Sequence, residues 1–279
     1  MLKQKFIIAT LIVFSVVFIS CSELRKSGYT DKIPKRQKHA ISGSEFAEKA
    51  RILDAEQREK LILEEICSGN FPDFMRKPVT IKTTAIIDGK LIEAKYFVMS
   101  DYLMIGNDDD FIRVPMQPKT AQKIADEFGF FLSTPKICDD IYNNAKVKLE
   151  PHPLTVARDS FDTFVKHNKI IENQRLQRKG LIAGIKKDVV ITGATLRNPK
   201  ANRVVIYGWH NLDGKPVQPV YSGHVDWYVD YSHGIRLVHQ TILINGKPVN
   251  YCDVLNDNNM NILLCNEDDC ACVGYYVEQ

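Results

Sequence analysis

The chain has 279 residues, 44% of them hydrophobic and 25% charged, with 15 glycines and 12 prolines. These are globular proportions, and they exclude collagen-like, coiled-coil and wholly disordered chains. A formal charge of +3, with no Lys/Arg-rich block carrying interleaved aromatics, argues against a nucleic-acid partner.

Residues 1–20 read as a leader. Met1 to Lys5 carries two lysines, and Phe6 to Ile19 is a run of fourteen apolar and small residues. A bilayer span needs roughly 20, so the run fits a signal peptide. It ends Phe18-Ile19-Ser20-Cys21, which resembles the lipobox of bacterial lipoproteins, although Phe18 is an unusual occupant of its slot. The resemblance implies cleavage before Cys21, lipidation of that residue with palmitate, and lipid anchoring in the cell envelope, at the outer membrane. Loss of Lys3 and Lys5 leaves a mature charge of +1. Residues 21–44 are rich in Lys, Arg, Ser, Gly and Pro and read as a flexible tether. Residues 45–279 read as a single domain.

Within that domain, Ser44 to Glu65 predicts a helix capped by Ser44. Val79 to Ile87 and Leu91 to Met99 are β-rich runs around Asp88-Gly89-Lys90, a hairpin signal. Tyr102 to Ile105 and Phe111 to Val114 predict a strand pair around Gly106-Asn107-Asp108-Asp109-Asp110. Its three aspartates lack the sixth-position Gly and closing Glu of an EF-hand, which favours a solvated turn. Pro118 to Phe128 and Pro135 to Ala145 predict short helices, and Asp159 to Lys179 the longest one. Strands follow over Asp188 to Thr192, Val204 to Trp209, Val225 to Tyr231 and Ile235 to Ile244, with turn signals at Asp213-Gly214 and Asn245-Gly246. The order predicts an α+β fold, its helical middle packed on a mostly antiparallel sheet. That sheet would come from the C-terminal half and the N-terminal hairpin.

With Cys21 assigned to lipid, Cys67, Cys138, Cys252, Cys265, Cys270 and Cys272 remain. An even number in an exported chain predicts at least one disulfide, placed in the C-terminal cluster.

Chemistry concentrates in one passage. His210, His224 and His233 fall within 24 residues, in a stretch that includes Ser222 to Arg236. If Val225 to Tyr231 is a strand, Val225, Trp227, Val229 and Tyr231 share a buried face. His224, Asp226, Tyr228 and Asp230 then share the other and line a cleft. Asp226 and Asp230 could act as an acid and base pair, or His224 or His233 with an aspartate as an oriented base. Zinc on His210, His224, Asp226 and His233 is the weaker alternative, and no cofactor is expected. Lys187, His210, Tyr228, Tyr231 and Arg236 are expected to contact substrate; the helix pair His167-Asn168 reads as an inward, hydrogen-bonded core pair, with substrate contact as its alternative. Gly234 is expected to bend the chain so that His233 and Arg236 return to the cleft. No Walker loop, Gly-x-Gly-x-x-Gly or Gly-x-Ser-x-Gly is present.

Ser232-His233-Gly234-Ile235-Arg236 resembles part of the L,D-transpeptidase motif Ser-His-Gly-Cys-Ile/Val-Arg. Ile235 stands where that family has its nucleophilic cysteine, so thiol acyl transfer does not carry over. The phrases Lys186-Lys187-Asp188-Val189-Val190, Tyr207-Gly208-Trp209-His210 and Asp230-Tyr231-Ser232-His233-Gly234 resemble an uncharacterised group of exported bacterial proteins. That second likeness implies export and no particular reaction. The expectation is a lipid-anchored envelope hydrolase acting on a glycan or peptidoglycan-type polymer, attached to the membrane through Cys21. The alternative is a non-catalytic glycan- or peptide-binding lipoprotein. A hydrogen bond from His224 or His233 to an aspartate would favour the first, and its absence the second.

Overall fold

The computed structural model describes residue 29 and residues 32–197 and 201–276. The leader, Cys21 and the first part of the expected tether lie outside those residues. The rest of that tether belongs to the folded body. Tyr29 is buried against the rings of Phe97, Phe130 and His239. Arg36 donates to Asn70 Oδ1 and to the carbonyls of Gly106, Ala40 and Ile41, at 2.7–3.2 Å. A polar composition was compatible with a tether. What it missed is that one guanidinium can satisfy several carbonyls at once.

Two helices, α1 (Gly43–Arg51) and α2 (Ala55–Cys67), replace the single helix expected over Ser44 to Glu65. Each opens with a capping box, Ser42 with Glu45 and Asp54 with Gln57, so the cap is Ser42 and not Ser44. Strands β1 (Val79–Ile87) and β2 (Lys90–Val98) form the predicted hairpin. Asp88 and Gly89 both have positive φ, 50° and 71°, which matches the two-residue turn that suits twisted strands. Then come β3 (Met104–Gly106), β4 (Phe111–Arg113), α3 (Pro118–Phe128), β5 (Phe130–Leu132), α4 (Pro135–Asn144) and β6 (Val147–Lys148). Helix α5 (Phe161–Arg175) buries Phe161, Phe164, His167, Asn168 and Ile171, and Leu176 ends it in a left-handed conformation.

The C-terminal half supplies β7 (Ile182–Ala183), β8 (Lys187–Val189), the single turn α6 (Ala194–Arg197), β9 (Arg203–His210) and β10 (Pro216–Val225). It continues with β11 (His233–Gly234), β12 (Leu237–His239), β13 (Thr241–Ile244), β14 (Lys247–Asn250) and α7 (Tyr251–Asn256). One sheet runs β14-β13-β2-β12-β5 with β1 added on β2, so the N-terminal hairpin and the C-terminal strands do share a sheet. A second runs β10-β9-β8-β11, with only β11 on β8 parallel, and β3–β4 (antiparallel) and β6–β7 (parallel) pair separately. The fold is α+β with mostly antiparallel sheets. Among the described residues no helix is long and apolar enough to cross a membrane.

Two disulfides, Cys252–Cys272 and Cys265–Cys270, close the C-terminal segment, leaving Cys67 and Cys138 as thiols. Tyr275 then crosses the second sheet, donating to the Val190 carbonyl and accepting from Val205 N–H. The Asp108-Asp109-Asp110 turn is held internally by Asn107 Oδ1, and Asp110 accepts from Ser44 N–H at the start of α1. Between the sheets and α5 sits a buried ion pair. Arg113 grips Asp101 through Nε at 3.0 Å and Nη2 at 2.5 Å, and its Nη1 reaches Glu172 and Asn168.

Candidate functional site

The site gathers on the second sheet and the turns that feed it. Strand β9 turns at Asn211 to Lys215 and pairs back through β10, so the strand partner of β9 precedes the expected Val225 to Tyr231. After Val225 the chain bends repeatedly. Asp226 N–H donates to Asn202 O, Tyr228 N–H to Val225 O, Tyr231 N–H to Arg158 O and His233 N–H to Asp230 O. These turns abolish the expected two-face alternation. Trp227, expected inside, is 62% exposed, whereas Asp230, expected in a cleft wall, is 1% exposed.

Asp230 is the anchor of these turns. Its Oδ1 accepts from Ser232 N–H at 2.8 Å and Ser232 Oγ at 2.7 Å, while Oδ2 accepts from Arg158 Nε at 2.7 Å and Tyr228 O–H at 3.2 Å. Burial alone would raise its pKa, but the Ser232 hydrogen bonds and Arg158 outweigh it and hold the carboxyl below its usual range. A carboxylate so occupied orients the turn and is not the expected acid or base. Asp226 is elsewhere, buried in an ion pair with Lys119 at 2.9 Å.

Around Asp230 four part-buried polar groups gather as the mouth of the site: Arg158, Lys187, His224 and Tyr228. His224 lies 4.9 Å from the Tyr228 ring and 6.1 Å from that of His233, centroid to centroid. His233 pairs with Lys187 along the parallel β11–β8 ladder. Beneath the mouth the floor is His233, 2% exposed, with Trp209 and Tyr231, also buried. Lys187 Nζ lies 5.4 Å from the Trp209 ring centroid, a cation–π contact. Burial, reinforced by Lys187, pushes His233 down to about 3 and lowers His224 as well, so both imidazoles are neutral at pH 7. Burial likewise lowers Lys187, and brings Lys186, which donates to the Tyr231 carbonyl, down to about 7.

Other expected residues are structural. Asn168 accepts from Arg113 N–H and Nη1 and donates to Phe111 O, so it supports the ion pair. His167 packs edge-on against Tyr231 at 4.8 Å, and burial holds its pKa well below 6.5. The Tyr231 hydroxyl accepts from Leu154 N–H at 2.6 Å. Arg236 donates to the carbonyls of Met99 and Ile182 and stacks 4.2 Å from the Tyr102 ring centroid. It therefore braces the join between the sheets and is not the expected anion holder at the mouth. Gly234 serves close packing: a Cβ there would lie 2.5 Å from Tyr102 Cδ1 and 2.7 Å from Lys186 Cβ. Gly234→Ala is accordingly expected to cost about 1–3 kcal/mol in a urea unfolding titration, as overpacking does. An unchanged midpoint would show that the sheet yields there freely.

His210 joins a second cluster. Its Nε2 is 2.7 Å from Asp139 Oδ1, its ring stacks on Tyr142 at 4.6 Å, and Tyr207 O–H also donates to Asp139. Nearby, Asp188 accepts from Tyr102 O–H at 2.8 Å, and burial raises its carboxyl to about 6. Among the described residues no three His, Cys, Asp or Glu side chains gather as a metal site. The weighed zinc set is dispersed, since Asp226 pairs with Lys119 and His210 with Asp139.

Arg158, Trp209 and Asp139 escaped the sequence reading. Trp209 belongs to a phrase quoted above, but Gly208 and Trp209 both have positive φ, 94° and 56°, which breaks the strand alternation used to assign faces. Arg158 and Asp139 come from distant segments with no local pattern pointing to β11. No protein-family model, curated protein or solved structure matches the chain.

Proposed function

We propose that this is a lipid-anchored envelope protein that binds a glycan or peptide segment of an envelope polymer at the mouth formed by Arg158, Lys187, His224 and Tyr228. The carrying observation is the convergence of those four part-buried groups from three separate parts of the chain, flanked by exposed Tyr221 and Trp227. Aromatic faces beside hydrogen-bonding groups suit sugar rings and peptide backbones alike. Two disulfides are compatible with the oxidising compartment that a lipidated Cys21 implies.

Binding is favoured over turnover at this mouth. Neither imidazole, of His224 or of His233, has a hydrogen bond to the carboxylate of Asp226 or Asp230, because those carboxylates are taken by Lys119, Arg158, Tyr228 and Ser232. An efficient base titrates near the working pH, and His233 at about 3 is too weakly basic. Hydrolysis is kept as the second reading on one observation, the oriented His210–Asp139 pair.

Both readings meet in one experiment. The purified protein is co-sedimented with insoluble polymer prepared from bacterial envelopes, and the supernatant is chromatographed for released fragments. His224→Ala with Tyr228→Ala is expected to lower the bound fraction about tenfold, on the scale of two lost contacts, without releasing fragments. Equal retention of wild type and double variant would refute the binding reading. Fragment release that disappears in His210→Ala would replace it with the hydrolase.

A further inference from the structure

Below the mouth, Trp209 and His233 each carry a nitrogen that lacks what its chemistry requires, as does His167 at Nδ1, against Tyr231. Trp209 Nε1 and His233 Nε2 are both buried without a hydrogen-bond partner, in side chains 3% and 2% exposed. An indole N–H only donates, so the group missing at Trp209 is an acceptor. Imidazole Nε2 donates in the tautomer that carries its proton there, so one acceptor group can serve both. Burying such donors without partners is costly, and an orphan of this kind calls for an explanation.

The backbone points the same way. Trp209 holds a left-handed φ of 56°, which a bulky side chain adopts only where its surroundings impose it. That conformation brings the indole against Lys187 and within 6.4 Å of the Tyr231 ring, centroid to centroid. His233 adjoins Lys187 through the strand ladder. Both orphan side chains thus adjoin Lys187, Trp209 through its ring face and His233 across the ladder.

Charge selects among acceptors. Arg158 and Asp230 neutralise each other at 2.6 Å, and both imidazoles are neutral at pH 7. Lys187 is left as the surplus charge of the mouth, while Lys186, brought down to about 7, is spent on the Tyr231 carbonyl beneath it, so the balance favours an anion of low charge. A carboxylate supplies one negative charge, two acceptor oxygens and no donor.

We infer, resting on the binding reading above, that the ligand enters through a carboxylate held by Trp209 Nε1, His233 Nε2 and the Lys187 ammonium. The carboxylate can be the C-terminus of a peptide or the acid group of a sugar. Either would satisfy the two orphan donors and form a charge-assisted contact with Lys187.

Calorimetric titration of the full chain in detergent separates these sources. The probes are N-acetyl-alanyl-alanine, its C-terminal amide, and digalacturonate. Binding of the peptide acid with loss of the amide supports a peptide carboxylate, whereas binding of digalacturonate alone supports a sugar acid. Trp209→Phe and Lys187→Met are each expected to weaken the bound acid about tenfold or more, the scale of a hydrogen bond to a charged group. Should Trp209→Phe fail to fold by circular dichroism, Lys187→Met, at a half-exposed position, carries the test. Equal affinity for acid and amide, or unchanged affinity in the folded variants, overturns the inference. If neither acid binds while envelope polymer still co-sediments, the carboxylate is wrong and the binding reading survives. If the polymer fails as well, both fall.

Discussion

Asp101→Ala is expected to lower folding stability by roughly 3–5 kcal/mol, the cost of leaving one member of a buried ion pair unpaired. Arg113 and Asp101 are joined by two hydrogen bonds and are almost wholly buried. Without Asp101 the guanidinium keeps Glu172, which is part-exposed, and Asn168, which is neutral. Neither replaces a fully desolvated carboxylate. The sharper control is the double change Arg113→Met with Asp101→Leu, which removes both charges and is expected to recover most of the loss. Urea unfolding of the two variants checks the comparison. A loss below about 1 kcal/mol in Asp101→Ala, typical of exposed pairs, would mean that water reaches the pair and screens it.

That ion pair also supplies the hydrogen-bonded core setting that the inward position of Asn168 signalled, in place of a substrate contact. On a helix, an Asn beside an apolar stripe signals an inward polar group, and Asn168 is inward. Its partner, Arg113, lies on β4, 55 residues earlier. Periodicity reports which face a side chain takes, but not what waits on that face.

Local signals carried the elements that local physics determines. The hairpin turns at Asp88-Gly89 and Asn245-Gly246 fell where positive φ is tolerated, and Pro118 and Pro135 opened their helices. The helix break before Asp54 was readable too, because Asp54 and Gln57 form the same box as Ser42 and Glu45. Continuous helix-forming residues hid it.

The site was harder for a specific reason. His224, Tyr228, Asp230 and His233 do gather, as a dense polar passage suggested, but through turns and not along a strand. A strand with period two would have put Asp226 beside Asp230. The turns separate them and give each its own cation, Lys119 and Arg158. Tertiary partners from residues 119 and 158 therefore decided the chemistry of two carboxylates that looked equivalent in sequence. Arg236, in the motif-like stretch, was drawn away by two backbone carbonyls.

His233 should make the wild type lose stability on acidification relative to His233→Phe, by about 1.4 kcal/mol per pH unit between roughly pH 6 and pH 4. The sign follows from which state binds the proton first. Unfolded histidine titrates near its ordinary value of 6.5, while burial places folded His233 at about 3. Between those values the unfolded chain holds the extra proton, so falling pH favours unfolding. The stability tied to neutral His233 is present above 6.5 and has gone by about 3. Wild type alone would conceal this, because burial raises Glu59 to about 7 and Asp188 to about 6. Those carboxyls bind protons first in the folded state and so gain stability over part of the same window. Both are shared by wild type and variant, and their contributions cancel in the difference. Phenylalanine keeps a ring of similar size and removes the unpartnered Nε2, so the two proteins are expected to lie within about 1 kcal/mol of each other at pH 8. Urea unfolding of both, repeated from pH 8 to pH 4, gives the difference curve. Parallel stability profiles would mean that His233 takes up its proton in the folded state as readily as in the unfolded one, and the buried, neutral imidazole on which the floor of the site depends would be wrong.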